Sequence, residues 1–169
     1  VLSRPFFNPT TNLEDSRLIG APGVSEGRVG VFNTSESHSV ALLLRNNYRT
    51  ASDGRIDILS GYRHFRFRDG IYIHENRVTP IPGGTMYDGH DWFRSENEFN
   101  GGELGVHSQF NRGPIVFDVL AKIAIGAVRH NTLVDGRTTT TIPGAFPVTT
   151  FSEGGLLSAP SNIYRHSSN

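Results

Sequence analysis

Seven successive odd-numbered positions, Ile115, Phe117, Val119, Ala121, Ile123, Ile125 and Ala127, are apolar, while the even positions between them are mixed. An apolar period of two marks a β-strand with one face turned from water. Three other segments repeat it less strictly. In 39–48, Val40, Leu42 and Leu44 oppose Ser39, Ala41, Arg45 and Asn47, with Leu43 out of phase. In 55–67, Ile56, Ile58 and Tyr62 oppose Arg55, Asp57, Gly61 and Arg63, although Leu59, Phe65 and Phe67 fall on the polar side. In 102–110, Leu104, Val106 and Phe110 oppose Glu103, His107 and Gln109. A shorter strand is expected over 28–33, ended by the polar turn 34–37.

Length separates the possible settings. The strand over 115–128 would extend roughly 46 Å at about 3.3 Å per residue. That crosses a hydrocarbon layer of about 25–30 Å even when tilted, whereas soluble strands average only about 5–6 residues. Hairpin parity agrees. If a two-residue loop lies between Phe110 and Gly113, Gln109 faces Pro114, His107 faces Val116 and Gly105 faces Asp118. The apolar sets of both strands then share one sheet face, whereas a one-residue slip would put His107 opposite Phe117.

The connections at 49–54 and 111–113 are short. Residues 68–97 and 129–152 read as long polar loops, the first carrying Pro80, Pro82, Gly83-Gly84 and Asp88-Gly89. Residues 1–27 read as an irregular N-terminal segment broken by Pro5, Pro9 and Pro22. Short turns at one end and long loops at the other is the plan of outer-membrane barrels. The fold class expected is therefore all-β, an antiparallel up-and-down transmembrane β-barrel, with 1–169 a single domain that forms part of a barrel.

Composition removes several alternatives. Sixteen basic residues balance sixteen acidic ones, with no basic stripe, so nucleic acid is not an expected partner. The absence of cysteine excludes a disulfide scaffold, a thiolate metal site and a cysteine nucleophile. No apolar run approaches the roughly 18 residues of a spanning helix. The chain opens at Val1 with no initiator methionine or signal pattern, and a processed or partial chain is expected.

Candidate chemistry is sparse. Asp88-Gly89-His90-Asp91 hints at a calcium loop but lacks the full ligand series, and a glycine turn explains it as well. His107-Ser108 beside Asp118 suggests a triad, but neighbouring strand residues point to opposite faces. Glycines 61, 101, 102, 105 and 126 read as strand kinks or as room for large neighbours. Trp92, Phe93, Phe65, Phe67 and Phe99 at one end, with Tyr48 and Phe110 at the other, read as two aromatic girdles. No enzymatic activity, cofactor or metal is expected.

The segments Arg4-Pro5-Phe6-Phe7-Asn8 and Arg55-Ile56-Asp57-Ile58-Leu59-Ser60-Gly61-Tyr62-Arg63 resemble a planctomycete-type family of outer-membrane β-barrel porins. Phe99-Asn100-Gly101-Gly102-Glu103-Leu104-Gly105, Lys122-Ile123-Ala124-Ile125-Gly126 and Ser161-Asn162-Ile163 are similar to it as well, in order and spacing. The resemblance implies a chain equivalent to about the front half of a longer barrel, in a bacterial outer membrane, with no catalytic residues.

The expected lipid-facing set is Val40, Leu42, Leu44, Ile56, Ile58, Leu104, Val106, Phe117, Val119, Ile123 and Ile125. The expected lumen-facing set is Arg45, Arg55, Asp57, Arg63, Glu103, His107, Gln109, Asp118 and Lys122. Partners would be outer-membrane lipid and, at unpaired strand edges, a second barrel half or a neighbouring protein. The function expected is a passive pore or a structural membrane component. The rival is a soluble β-sandwich or lectin-like module whose core is that same apolar face.

Overall fold

The computed structural model describes residues 1–8, 11–80 and 83–168, so Pro9 and Pro82 lie outside the described residues. The described elements are all β-strands: β1 (Leu2–Asn8), β2 (Leu13–Gly20), β3 (Glu26–Ala51), β4 (Gly54–Thr79), β5 (Thr85–Arg112), β6 (Ile115–Ile142), β7 (Val148–Glu153) and β8 (Tyr164–Ser168). Strands β1 and β2 form an antiparallel hairpin of their own. The other six form one sheet in the order β3-β4-β5-β6-β7, with β8 also paired to β6. The sheet is antiparallel and is not closed within this chain.

Several boundaries move. Residues 1–27, expected to be irregular, contain β1 and β2. Pro5 interrupts nothing there, because in a two-stranded sheet it pairs with Ser16 at an edge where a missing N–H is tolerated. Residues 68–97 are not a long loop: β4 continues to Thr79, β5 begins at Thr85, and 80–84 connect them. Likewise β6 runs on to Ile142 and β7 begins at Val148, so both take up parts of the loop expected over 129–152. The short strand at 28–33 and the turn at 34–37 merge into β3. Over 69–79, 85–97 and 129–142 both faces of the strand are rich in polar residues, so alternation disappears while backbone pairing persists. Cross-strand pairs such as Arg68 Nε to Glu96 (3.0 Å) and His74 Nε2 to Asp88 (3.0 Å) take over from apolar packing.

The β5–β6 turn is Gly113-Pro114, with Gly113 at φ 59°. Pairing is therefore displaced by an even number of residues from the expected register. An even displacement leaves every side chain on its expected face.

Contacts divide the chain into two compact units. The first comprises Val1–Ser35, Asp69–Ser95 and Asn131–His166; the second comprises Glu36–Arg68, Glu96–His130 and Ser167–Asn169. The first buries Ile19 and Val134 together with Ser25, Glu75, Thr85, Asp91 and Ser158. The second buries Leu59, Asp57 and Glu103. A soluble domain hides its apolar side chains and exposes its charges. Here, among the described residues, four carboxylates (Asp57, Glu75, Asp91 and Glu103) are buried against three apolar side chains (Ile19, Leu59 and Val134).

Within the second unit, Gly101 and Gly126 bring β5 and β6 unusually close. A Cβ on Gly101 would lie 2.8 Å from the Gly126 Cα and 2.7 Å from the Phe99 ring, and one on Gly126 would lie 2.8 Å from the Asn100 carbonyl carbon. Backbone cannot yield as a side-chain tip can. We predict that Gly126→Val destabilises the folded protein by about 1–3 kcal/mol, as overpacking does. Gly102→Ala, whose nearest heavy atom would be 3.9 Å away, should be nearly neutral. Urea unfolding of the two variants side by side checks this.

Candidate functional site

Cross-strand bonds in the second unit fix which side chains share a face. Asp57 on β4 is fully buried and accepts from Arg45 Nε (2.7 Å) and Asn47 Nδ2 (2.9 Å) on β3, and from Arg55 Nε (2.7 Å) on its own strand. Arg45 also donates to His107 Nδ1 on β5 at 2.7 Å. An arginine can only donate, so that ring nitrogen carries no proton, and Nε2–H is left to donate to Asp118 on β6 at 2.8 Å. A second layer repeats the plan. Arg63 on β4 clasps Glu103 on β5 with two bonds (2.7 and 3.0 Å), and Lys122 on β6 lies 3.0 Å from the same carboxylate.

The residues expected to face a lumen are thus brought together on one side of four strands, as two ionic layers. Gln109 has the same parity on β5 and is half-buried, but stands outside these bonds. Two charged layers across a sheet require each carboxylate to be matched by cations, since an unmatched buried charge is costly. Asp57 and Glu103 meet that requirement with two cations each.

The other side carries the residues expected to face lipid, and nearly all are open. Val40, Leu42 and Leu44 on β3, Ile58 on β4, Leu104 and Val106 on β5, and Phe117, Val119, Ile123 and Ile125 on β6 are exposed, while Ile56 is half-buried. Their exposure ranges from 42% at Ile58 to 75% at Ile125, far above what a water-facing surface normally concentrates in one patch.

Sequence reasoning missed where this apolar side ends. Beyond Tyr62 the same parity on β4 reads His64, Arg66 and Arg68. Tyr62 Oη donates to Asn100 Oδ1 at 2.6 Å, and His64 Nδ1 lies 2.9 Å from the same atom. Next come Arg66 and Arg68, both on Glu96 (2.8 and 3.0 Å), with Arg68 reaching Glu36 and His38 closing on Glu36 at 2.7 Å. The apolar stretch on β4 therefore ends at a tyrosine followed by an ionic border. The signal was present in the sequence, as a change of residue class within one parity on β3, β4 and β6 together.

The aromatic girdles need correction too. Phe65, Phe67 and Phe99 share the odd parity of Asp57 and Glu103 on their strands, so they belong to the polar side, where the Phe99 ring covers Gly101. Trp92 and Phe93 are neighbours in a strand and cannot share a face.

The first unit has its own buried carboxylate. Asp91 Oδ1 accepts from the Leu157 amide (2.9 Å), the Ser158 amide (2.8 Å) and the Ser158 hydroxyl (2.7 Å), and Oδ2 is bound by Arg4. Burial alone would raise its pKa, but these donors outweigh burial and hold it below the ordinary aspartate value. Asp88, its neighbour in the calcium-like tetrapeptide, bonds instead to His74 and Asn76 (3.0 and 3.3 Å). The two carboxylates have opposite parity and share no bonding partner.

No curated protein sequence matches this chain. A family model described as Putative beta barrel porin-7 (BBP7) matches residues 1–169, the whole of the sequence. With that match along an all-β antiparallel architecture, the chain belongs to the putative beta barrel porin-7 family.

Proposed function

We propose that this chain supplies transmembrane strands to a bacterial outer-membrane β-barrel that acts as a passive, weakly selective pore. The observation that carries the reading is the inversion of the sheet: two carboxylates are buried under their paired cations on one side, and an apolar side bounded by a tyrosine and an ionic border lies open on the other. Nine residues of β4, from Gly54 to Tyr62, span roughly 23 Å when tilted by about 40°, close to the ~25 Å apolar band of such barrels. Val40, Leu42, Leu44, Ile56, Ile58, Leu104, Val106, Phe117, Val119, Ile123 and Ile125 meet lipid in this reading. Arg45, Arg55, Asp57, Arg63, Glu103, His107, Gln109, Asp118 and Lys122 line the aqueous interior. Their mixed signs give little preference for either sign of ion.

Among the described strands, β3 is bonded to β4 on one side only. Lipid leaves no unpaired backbone unpunished, so the other edge of β3 pairs with a further strand, from a second barrel half or a neighbouring protein.

The test is extraction and conductance. The protein should need detergent, migrate differently on a gel before and after heating, and give discrete current steps in a planar bilayer with a small reversal potential across a KCl gradient. A monomer that stays in solution without detergent and gives no current would sink the reading in favour of a soluble sandwich.

A further inference from the structure

Strand parity slips near the end of β3. Asn47 donates to Asp57 on β4 at 2.9 Å, so these two odd positions share the polar side. Only Ser52 and Asp53 connect β3 to β4, and a two-residue hairpin sets Ala51 opposite Gly54 and Arg49 opposite Ile56. Gly54 and Ile56 have the parity of the apolar side. The two registers differ by one residue, as across a β-bulge, a device that re-aims side chains. Thr50 places the slip: its hydroxyl donates to Asn47 Oδ1 at 3.0 Å, so Thr50 lies on the polar side although its number is even. Its neighbours Arg49 and Ala51 therefore turn to the apolar side.

The reversal brings Arg49 and Ala51 into a cavity of about 160 Å³ whose other lining residues are Asp53, Gly54, Ile56 and Phe110. All six belong to the second unit. The apolar floor depends on Gly54, where a Cβ would lie 3.0 Å from the Phe110 ring and 2.6 Å from the Gln109 carbonyl oxygen. The turn is held in place, because the Asn111 amide donates to the Asp53 carbonyl at 2.8 Å. Its two charges differ from the rest of the ionic network. Asp57 and Glu103 are each matched by two cations. The Arg49 guanidinium and the Asp53 carboxylate, by contrast, have no hydrogen bond or ion pair with each other or with any other described residue.

We propose that this cavity is a site for the headgroup of a zwitterionic phospholipid, with its phosphodiester on Arg49 and its primary ammonium on Asp53. The proposal rests on the membrane reading, since it takes Ile56 and Phe110 to face lipid. Gly54 opens the apolar stretch of β4 that Tyr62 closes, so the cavity lies at a boundary of the apolar band. A lipid-side guanidinium is costly at the midplane and tolerated at an interface, where phosphate and water reach it. Opposite charges held apart at one opening match a headgroup that carries both signs. An anionic headgroup would instead meet Asp53 with like charge. A primary ammonium can donate to that carboxylate, which a trimethylammonium cannot. The acyl chains continue along Ile56 and Ile58, on the open apolar side.

Native mass spectrometry of the full chain in detergent tests this with dihexanoyl phosphatidylethanolamine, and with phosphatidylglycerol and phosphatidylcholine of the same chain length. Wild type should retain one ethanolamine lipid, and hold the other two about tenfold more weakly, the effect of one charge-assisted hydrogen bond. Arg49→Gln should weaken retention of all three by about tenfold, and Arg49→Lys should restore part of it. Asp53→Asn should still bind lipid but lose the preference for ethanolamine over glycerol. Arg112→Gln, beside the β5–β6 turn and outside the cavity, should behave as wild type. Unchanged β-sheet circular dichroism establishes that each variant is folded. In a chain that needs detergent, retention indifferent to Arg49 overturns the site and leaves the membrane reading standing. Equal retention of the three headgroups, lost in Arg49→Gln, overturns the pairing of the ammonium with Asp53. A chain that stays monomeric in solution without detergent overturns the membrane reading and the lipid site with it.

Discussion

Replacing Ile123 by lysine should destabilise the folded, inserted protein by about 2–4 kcal/mol, the cost of a cation near the midplane on the lipid side of a barrel. Ile123 is 63% exposed and lies towards the middle of the apolar run from Ile115 to Ala127. Two settings make different forecasts for this one change. On a face bathed in water, the substitution removes an exposed isoleucine and shifts stability by no more than about 0.5 kcal/mol. Against lipid, the ammonium must be desolvated or must drag water in. Leu120→Lys, on the opposite parity of the same strand and 55% exposed, should stay within about 0.5 kcal/mol if that side is aqueous. Urea unfolding in lipid vesicles reads both. Equal costs for the two substitutions would mean that the sheet has no lipid side.

The contrast between those neighbours was legible in the sequence because strand parity survives errors of register. The β5–β6 turn lies two residues beyond the position the sequence predicts, yet Glu103, His107, Asp118 and Lys122 fall on one face because the displacement is even. What could not be read was the extent of the strands. Over 69–79 and 85–97 both parities are rich in polar residues, so the alternation that announces a half-buried strand is absent although the ladder continues. Pro5 hid β1 for a different reason, since its cost depends on whether its strand has an edge, and edges are known only after assembly. The bonding around Asp91 was beyond reach. Arg4 and Ser158 lie 87 and 67 residues from it, and the local tetrapeptide around Asp91 suggested a cation instead. Side chains that meet through long separations leave no periodic trace in a single sequence.

The polar face offers the second large effect, on ion preference. Among the residues read as lining the interior, Arg45, Arg55, Arg63 and Lys122 oppose Asp57, Glu103 and Asp118, four cations against three carboxylates. Glu103→Gln keeps the shape and one acceptor oxygen but leaves four cations against two, and it frees Arg63 and Lys122 from the carboxylate they share. The expected result is a shift of the reversal potential towards anion preference, on the order of twofold or more in permeability ratio, since a unit charge a few ångströms from a passing ion is worth about 1 kcal/mol even at the dielectric of water. Screening sets its salt dependence: the shift should be clear at 0.1 M KCl, where the Debye length is about 10 Å, and shrink at 1 M, where it is about 3 Å. Asp118→Asn should shift the preference less, because Asp118 is exposed and is bonded through the His107 ring instead of clasping two cations. Combining Glu103→Gln with Lys122→Gln restores three cations against two carboxylates, and should move the potential back towards wild type. A general loss of folding would lower the number of channels without moving the potential, so the double variant separates electrostatics from misfolding. If the potential at 0.1 M is the same in wild type and both variants, the face built from Asp57 and Glu103 does not border the conduction path.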